Sequence, residues 1–177
     1  RNNSRCEICD AWVQNPIADS KNITIHNYYN HGNLLTVHQK IAGFKTINIT
    51  PRLYPKGSER AKVDSLSLPN KIVVIHCQSA QNSRNWDSLK WEKLIDWLLK
   101  NTDFTVVEIG LASDLKIVSE RYIDLSGRLT LLENAEVISR AKLYIGIDSG
   151  PAHLANAVGT FGIIMIGKLV DFTNHIP

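Results

Sequence analysis

The chain has 177 residues, 44% of them hydrophobic and 21% charged, with a formal net charge of +3. That length and balance suit one sizeable core, or one domain with part of another. No run of about 18 apolar residues suggests a membrane-spanning helix or signal peptide, and the scattered basic residues carry no nucleic-acid signature.

Residues 1–67 are rich in Asn, Thr, Tyr and His and only weakly periodic. Cys6 and Cys9 form a lone C-x-x-C, too few ligands for a zinc site, and read as reduced cysteines. Short strands are expected at Ile23–Ile25 and Ile47–Ile49. A helix over Leu34–Ala42 should end at Gly43. His26, Tyr28, Tyr29 and His31 form a polar aromatic cluster that can bind a metal or contact an acceptor, though a surface loop is the favoured reading. Pro51, Pro55, Gly57 and Ser58 mark a linker, and Leu68-Pro69-Asn70 a boundary, so a first domain is placed at 1–67 and a second at 68–177.

From Lys71 the pattern sharpens. Ile72–Ile75 is a continuous apolar run, as in a strand buried on both faces. Asp87 or Ser88 can cap the helix that follows, with Trp91, Leu94, Ile95, Leu98 and Leu99 on one stripe. Phe104–Ile109 is a second strand. Asp114 is expected to cap a short helix to Arg121, and Tyr122–Leu125 is a third strand. Thr130 and Glu133 form a capping box. Leu143–Ile147 is a fourth strand, Pro151–Val158 a helix with Pro at its start and Gly159 past its end, and Phe161–Ile166 a fifth strand. Alternating strands and helices predict an α/β fold with a doubly wound parallel sheet.

Ligands of such sheets lie beyond the carboxyl ends of the strands. The candidate segments are therefore Gln78–Arg84, Gly110–Asp114, Ser126–Arg128, Asp148–His153 and Gly167–Lys168. The Asp148–His153 turn is the strongest. Gly150 allows close backbone approach, and the helix start behind it favours an anion such as a diphosphate. Ser149 and His153 add side-chain donors. Asp148 can cap the turn or accept from a sugar hydroxyl. A plain helix cap beside a buried His is the competing reading. Arg84 can pair with phosphate or cover Trp86. Asp114 can accept from a ribose or simply cap a helix, and Gly127 can let backbone face a base or make a turn. The chain lacks G-x-G-x-x-G after its first strand and lacks G-x-x-x-x-G-K-[ST]. No paired carboxylates or Ser-His-Asp order point to hydrolysis.

Leu125-Ser-Gly-Arg-Leu-Thr-Leu-Leu-Glu133 and Ile138-Ser-Arg-Ala-Lys-Leu-Tyr-Ile-Gly-Ile-Asp-Ser-Gly-Pro-Ala-His-Leu-Ala155 together resemble the C-terminal domain of glycosyltransferase family 9, the ADP-heptose:lipopolysaccharide heptosyltransferases. Arg84-Asn85-Trp86 and Trp91–Leu94 resemble that family's [KR]-x-W-P segment and the helix behind it, with Asp87 in place of the Pro. Gln78–Gln81 replaces the family's Gly-rich loop, and Phe161 stands where a Pro is common.

The resemblance implies a Rossmann-like half of a two-domain GT-B enzyme that transfers sugar from a nucleotide-diphosphate donor to a glycan or lipid-linked acceptor. It implies donor contacts by Arg84, Asp148, Ser149, Gly150 and His153 and a ribose contact by Asp114, while Gly127 is a nucleoside-binding candidate from its place after the third strand. It also implies no essential metal or cofactor, and a cytoplasmic protein that can touch the inner membrane. Residues 1–67 would be the end of the N-terminal domain. The family's catalytic base, an Asp in a Gly-rich loop, is not found in this sequence. The chain starts at Arg1 and stops at Pro177, and is expected to be a donor-binding piece of a longer protein. Alternatives are a nucleotide-sugar epimerase of the same fold or a non-catalytic binding or assembly module.

Overall fold

The computed structural model describes residue 23 and residues 27–47, 49–80 and 82–166. The expectations for Cys6, Cys9, Ile25, His26, Gly167 and Lys168 fall outside them. The chain divides into two compact units, with the break between Ile49 and Thr50.

In the first unit a 3-10 turn, Tyr28–His31, precedes helix α1, Leu34–Ile41. Asn33 caps α1 by accepting from the Thr36 N–H at 2.8 Å. Lys40 donates to the His31 carbonyl at 2.7 Å, tying the turn to the helix. Ile47 and Ile49 are exposed and carry no strand. Gln39 instead holds the Ile47 backbone by its side-chain amide, accepting at 2.8 Å and donating at 3.3 Å.

The second unit is built on a five-stranded parallel sheet. Its strands are β1 (Ile72–His76), β2 (Thr105–Glu108), β3 (Tyr122–Asp124), β4 (Leu143–Ile147) and β5 (Gly162–Met165), in the order β3-β2-β1-β4-β5. Every residue of β1 is buried, which follows from its central place and its apolar sequence. Val74 pairs with Val107 on one side and Tyr144 on the other.

The helices are α2 (Gly57–Asp64), α3 (Ser88–Asn101), α4 (Leu131–Arg140) and α5 (Gly150–Val158). One face of the sheet packs Ile72, Val74, Val107 and Tyr144 against Val63, Val137, Ile138, Ala152 and Ala155 of α2, α4 and α5. The other packs Val73, Ile75, Val106, Ile145 and Ile147 against Trp91, Ile95 and Leu98 of α3. Trp86 meets Trp91 edge to face, with ring centroids 5.3 Å apart. Trp97, on the same helix, is exposed. Asp87 caps α3 and Thr130 caps α4, the latter through the full capping box with Glu133.

Two further expectations need correction. Residues 57–64, read as linker, form α2, whose Val63 is wholly buried in the core. The Glu59 carboxylate holds the Lys56 N–H at 2.8 Å, closing the first turn. Residues 114–121, read as a helix capped by Asp114, form no helix. Leu115 and Ile117 pack partly buried against the core while Lys116 and Val118 are exposed, and residues 120–121 form a turn. Lys116 donates its N–H to Glu92 at 2.9 Å. Arg121 donates to the carbonyls of Thr102 and Phe104 at 2.9 and 3.0 Å, and to that of Leu99. It thereby satisfies carbonyls that the end of α3 leaves open.

Gly146 in β4 has no room for a side chain. A Cβ there would lie 2.6 Å from Tyr144 Cζ and closer still to the hydroxyl. Gly146→Ala should therefore lower unfolding free energy by about 1–3 kcal/mol in a urea titration. Tyr144→Phe should restore only part of that loss, because the ring carbons overlap as well as the oxygen.

Candidate functional site

Strand order reverses around β1, where β2 leaves on one side and β4 on the other. The crevice beyond such a reversal is where ligands of open α/β sheets bind. Two chain segments meet there, the loop after β1 and the turn after β4. Residues Asn82–Arg84 form a short 3-10 turn that brings Arg84 back over the sheet. Its Nη1 donates to the Asp148 carbonyl at 3.3 Å and lies 3.5 Å from the Asp148 carboxylate. Asn85 braces the loop by accepting from the Ser79 N–H at 2.7 Å.

Asp148 is buried and does not cap α5. Its partner is Arg84. Ser149 occupies the N-cap position yet makes no side-chain cap bond. Its hydroxyl lies 3.0 Å from His76 Nδ1 and donates toward the Ile147 carbonyl at 3.3 Å. The plain-cap reading of this turn is therefore not what the structure holds. The helix starts at Gly150, one residue before Pro151, and Gly150 is exposed. His153 lies on the next residues of α5 and is exposed. The first turn of α5 thus lacks a side-chain cap from Ser149 and stands close to the Arg84 guanidinium through its Asp148 contact.

Asp114 is on the β2 side of the crevice, where it accepts from the Gln78 side-chain amide. With no helix behind it, its role as a helix cap is excluded. Gly127 has φ of +69°, and its N–H donates to the Gly110 carbonyl at 2.8 Å, tying the loops after β2 and β3 together. No hydrogen bond or ion pair among the described residues links Asp114 or Gly127 to the Asp148–His153 turn. The structure therefore joins Arg84, Asp148 and Ser149 directly and leaves Asp114 and Gly127 as a separate group.

Three residues escaped the sequence reading. His76 ends β1, buried, with its ring edge against Gly110. Burial pushes its pKa from an ordinary 6.5 down to about 4, so it is neutral near pH 7. Tyr144 is wholly buried with its hydroxyl turned toward Ser149. Glu108 is a buried carboxyl at the end of β2 that accepts from Ser113 at 2.6 Å and from Tyr122. Burial raises its pKa, and burial together with Glu108 raises that of the Cys77 thiol beside it. That thiol is accordingly inert. A visible signal existed for His76 and Glu108, since each is a polar residue closing an apolar strand.

No cluster of three or more His, Cys, Asp or Glu among the described residues could hold a metal ion. No described helix is long and apolar enough to cross a membrane.

The family described as glycosyltransferase family 9 (heptosyltransferase) matches residues 33–167. The chain belongs to that family. Lipopolysaccharide heptosyltransferase 3 of Escherichia coli K12 is 32% identical over 126 residues, covering 66% of this chain and 36% of that protein. The chain thus spans little more than a third of that relative's length. Among solved structures, a family 9 glycosyltransferase from Veillonella parvula superposes with a TM-score of 0.66 at 19% identity, over 80% of this chain and 44% of its own. The ADP-heptose lipopolysaccharide heptosyltransferase II of E. coli gives a TM-score of 0.59 at 20% identity, over 73% and 47%. The fold is that of the GT-B heptosyltransferases, matched over less than half of their length.

The neutral, buried His76 makes stability depend on pH. Between about 4 and 6.5 the unfolded chain binds the proton that folded His76 refuses. The stability it contributes is present above pH 6.5, is lost as pH falls toward 4, and levels off below. The full shift is worth about 3 kcal/mol. Urea titrations across that window should show a steeper loss for the wild type than for His76→Phe.

Proposed function

We propose that this unit is the donor-binding half of a glycosyltransferase that takes its sugar from a nucleotide diphosphate, with the diphosphate seated at the N-terminus of α5. The observation that carries this reading is the uncapped start of α5 beside Arg84 at the strand-order reversal. Oriented N–H groups, a helix dipole and a guanidinium are the standard physical means of holding a dianion. Family membership supports the reading, and the name of the E. coli structural relative includes ADP-heptose.

In this reading Arg84 and the first turn of α5 grip the diphosphate, and His153 reaches the same oxygens from the helix. Asp148 holds Arg84 in place and keeps its charge at the mouth of the turn. Gln78, Asp114 and the Gly110–Gly127 tie lie toward the nucleoside. An acceptor hydroxyl oxygen forms a bond to the anomeric carbon from the face opposite the leaving group. The bond from that carbon to the diphosphate breaks, and its electron pair leaves with the diphosphate. The configuration inverts. The donors at α5 stabilise the growing negative charge, and no metal is required. The acceptor proton passes to a base from outside the described residues, since Asp148 is held by Arg84 and Glu108 by Ser113 and Tyr122. The acceptor is a glycan or lipid-linked sugar met at the cytoplasmic face of the inner membrane.

Calorimetric titration with ADP, and with UDP and GDP for comparison, tests the site. Arg84→Ala and His153→Ala should each weaken diphosphate binding by about tenfold, as loss of one charge-assisted contact does. Unchanged affinity in both variants would sink the assignment.

A further inference from the structure

We propose that Glu108 is a positioning residue for the nucleoside: from inside the core its carboxylate holds the Ser113 hydroxyl, and through it the turn that presents Asp114 to the crevice. The proposal rests on the donor-site reading above.

Position 108 closes a strand of the buried sheet, between Val107 and Ile109, where an apolar side chain would carry no desolvation cost. It holds instead a carboxyl that is 1% exposed, and burial raises its pKa. Such a group is tolerated where donors meet it. Two do, on the same oxygen: Oε2 accepts from the Ser113 hydroxyl at 2.6 Å and from the Tyr122 hydroxyl. Tyr122 belongs to β3 and is already fixed by pairing with Val106. Ser113 belongs to the connection after β2, where residues 112–119 form neither helix nor strand. The Glu108 bond therefore does more for the course of that connection than for β3.

Side chains set the backbone there. The Ser113 oxygen accepts from the Leu115 N–H at 3.2 Å, which closes a hydroxyl-centred turn around Asp114. Leu115 packs against the core that α3 covers, and Lys116 donates its N–H to Glu92 of α3 at 2.9 Å. Asp114 thus stands between one neighbour tied to Glu108 and another seated on the core. It is itself exposed, and it accepts from the side-chain amide of Gln78, which lies in the loop after β1. That contact sets its carboxylate at the carboxyl ends of β1 and β2, beyond which ligands of such sheets lie. One amide takes one of the roughly four lone-pair sites of a carboxylate, so the same group can also accept from the hydroxyls of a ribose. Without the Ser113–Glu108 bond the turn keeps its Leu115 tie but loses its direct hold on β2.

The test is a set of ADP and pyrophosphate titrations on wild type, Glu108→Leu, Glu108→Gln, Ser113→Ala, Asp114→Ala and the Ser113→Ala/Asp114→Ala double variant. Glu108→Leu, Ser113→Ala and Asp114→Ala should each weaken ADP by about tenfold, as loss of a hydrogen bond to a charged group does. Pyrophosphate, which carries no nucleoside, should bind all of them as it binds the wild type. Glu108→Gln should retain wild-type affinity for ADP, since its amide oxygen can take both hydroxyls. In the Asp114→Ala background Ser113→Ala should add no further loss, because the residue it positions is gone. A merely structural role weakens ADP and pyrophosphate together, and that result overturns the proposal. So does wild-type ADP affinity in Ser113→Ala or in Asp114→Ala, a Glu108→Gln variant as weak as Ser113→Ala, or an equal Ser113→Ala loss with and without Asp114. Should Glu108→Leu fail to fold, Ser113→Ala, in a half-buried loop position, carries the same contrast. Failure of the donor-site reading looks different: neither ligand then binds the wild type, or both bind it without dependence on Arg84.

Discussion

Pairing of β1 with β4 is the constraint on which the rest of this structure depends. It places the centre of the sheet between two cores and makes β1 the point where strand order reverses. It also sets His76 beside Gly146 and brings the loop after β1 against the turn after β4. The Arg84–Asp148 and His76–Ser149 contacts both cross that line. Neither could exist if the two strands slipped in register, because a shift of one residue turns every side chain to the opposite face.

The same pairing explains a conspicuous glycine. Tyr144 sends its ring up the face of β4 toward Ser149, and the space it fills is the space a side chain at 146 would need. Burying the ring contributes apolar contact with α4 and α5, and burying its unpartnered hydroxyl costs about 1–3 kcal/mol. An apolar ring of the same shape would avoid that cost. The hydroxyl is therefore better understood from what lies above it than from the core it stands in.

Legibility in the sequence followed periodicity. The four longer strands read clearly, because runs such as Ile72–Ile75 are apolar throughout and lie in a buried parallel sheet. Helices α3 and α4 read clearly from stripe and cap. The connection after β2 was misread because Asp114 looked like a cap, while the alternation of Leu115 and Ile117 with Lys116 and Val118 carried the true period of two. Helix α2 was missed because its short polar sequence buries only Val63, and Pro55 and Gly57 suggested a loop. In the candidate site, Arg84, Asp148 and Ser149 were legible as residues at strand ends. Their partners were not. The Arg84–Asp148 ion pair spans 64 residues and the His76–Ser149 contact 73, and no local pattern encodes a contact over such a distance.

A helix that starts with a serine and leaves it unused as a cap forgoes about 1 kcal/mol of local stability. Proteins that break a local rule in this way do so most often where function requires it. Here the departure comes with others around the same turn: a histidine held neutral by burial, and a phenol hydroxyl and a guanidinium Nε that make no hydrogen bond among the described residues. Each is a small loss of stability. Under the proposed function, such groups would stand in place before an anion arrives. That is the arrangement expected of a site that must favour negative charge as it develops on a leaving group, because donors fixed in advance cost no reorganisation at the moment of reaction.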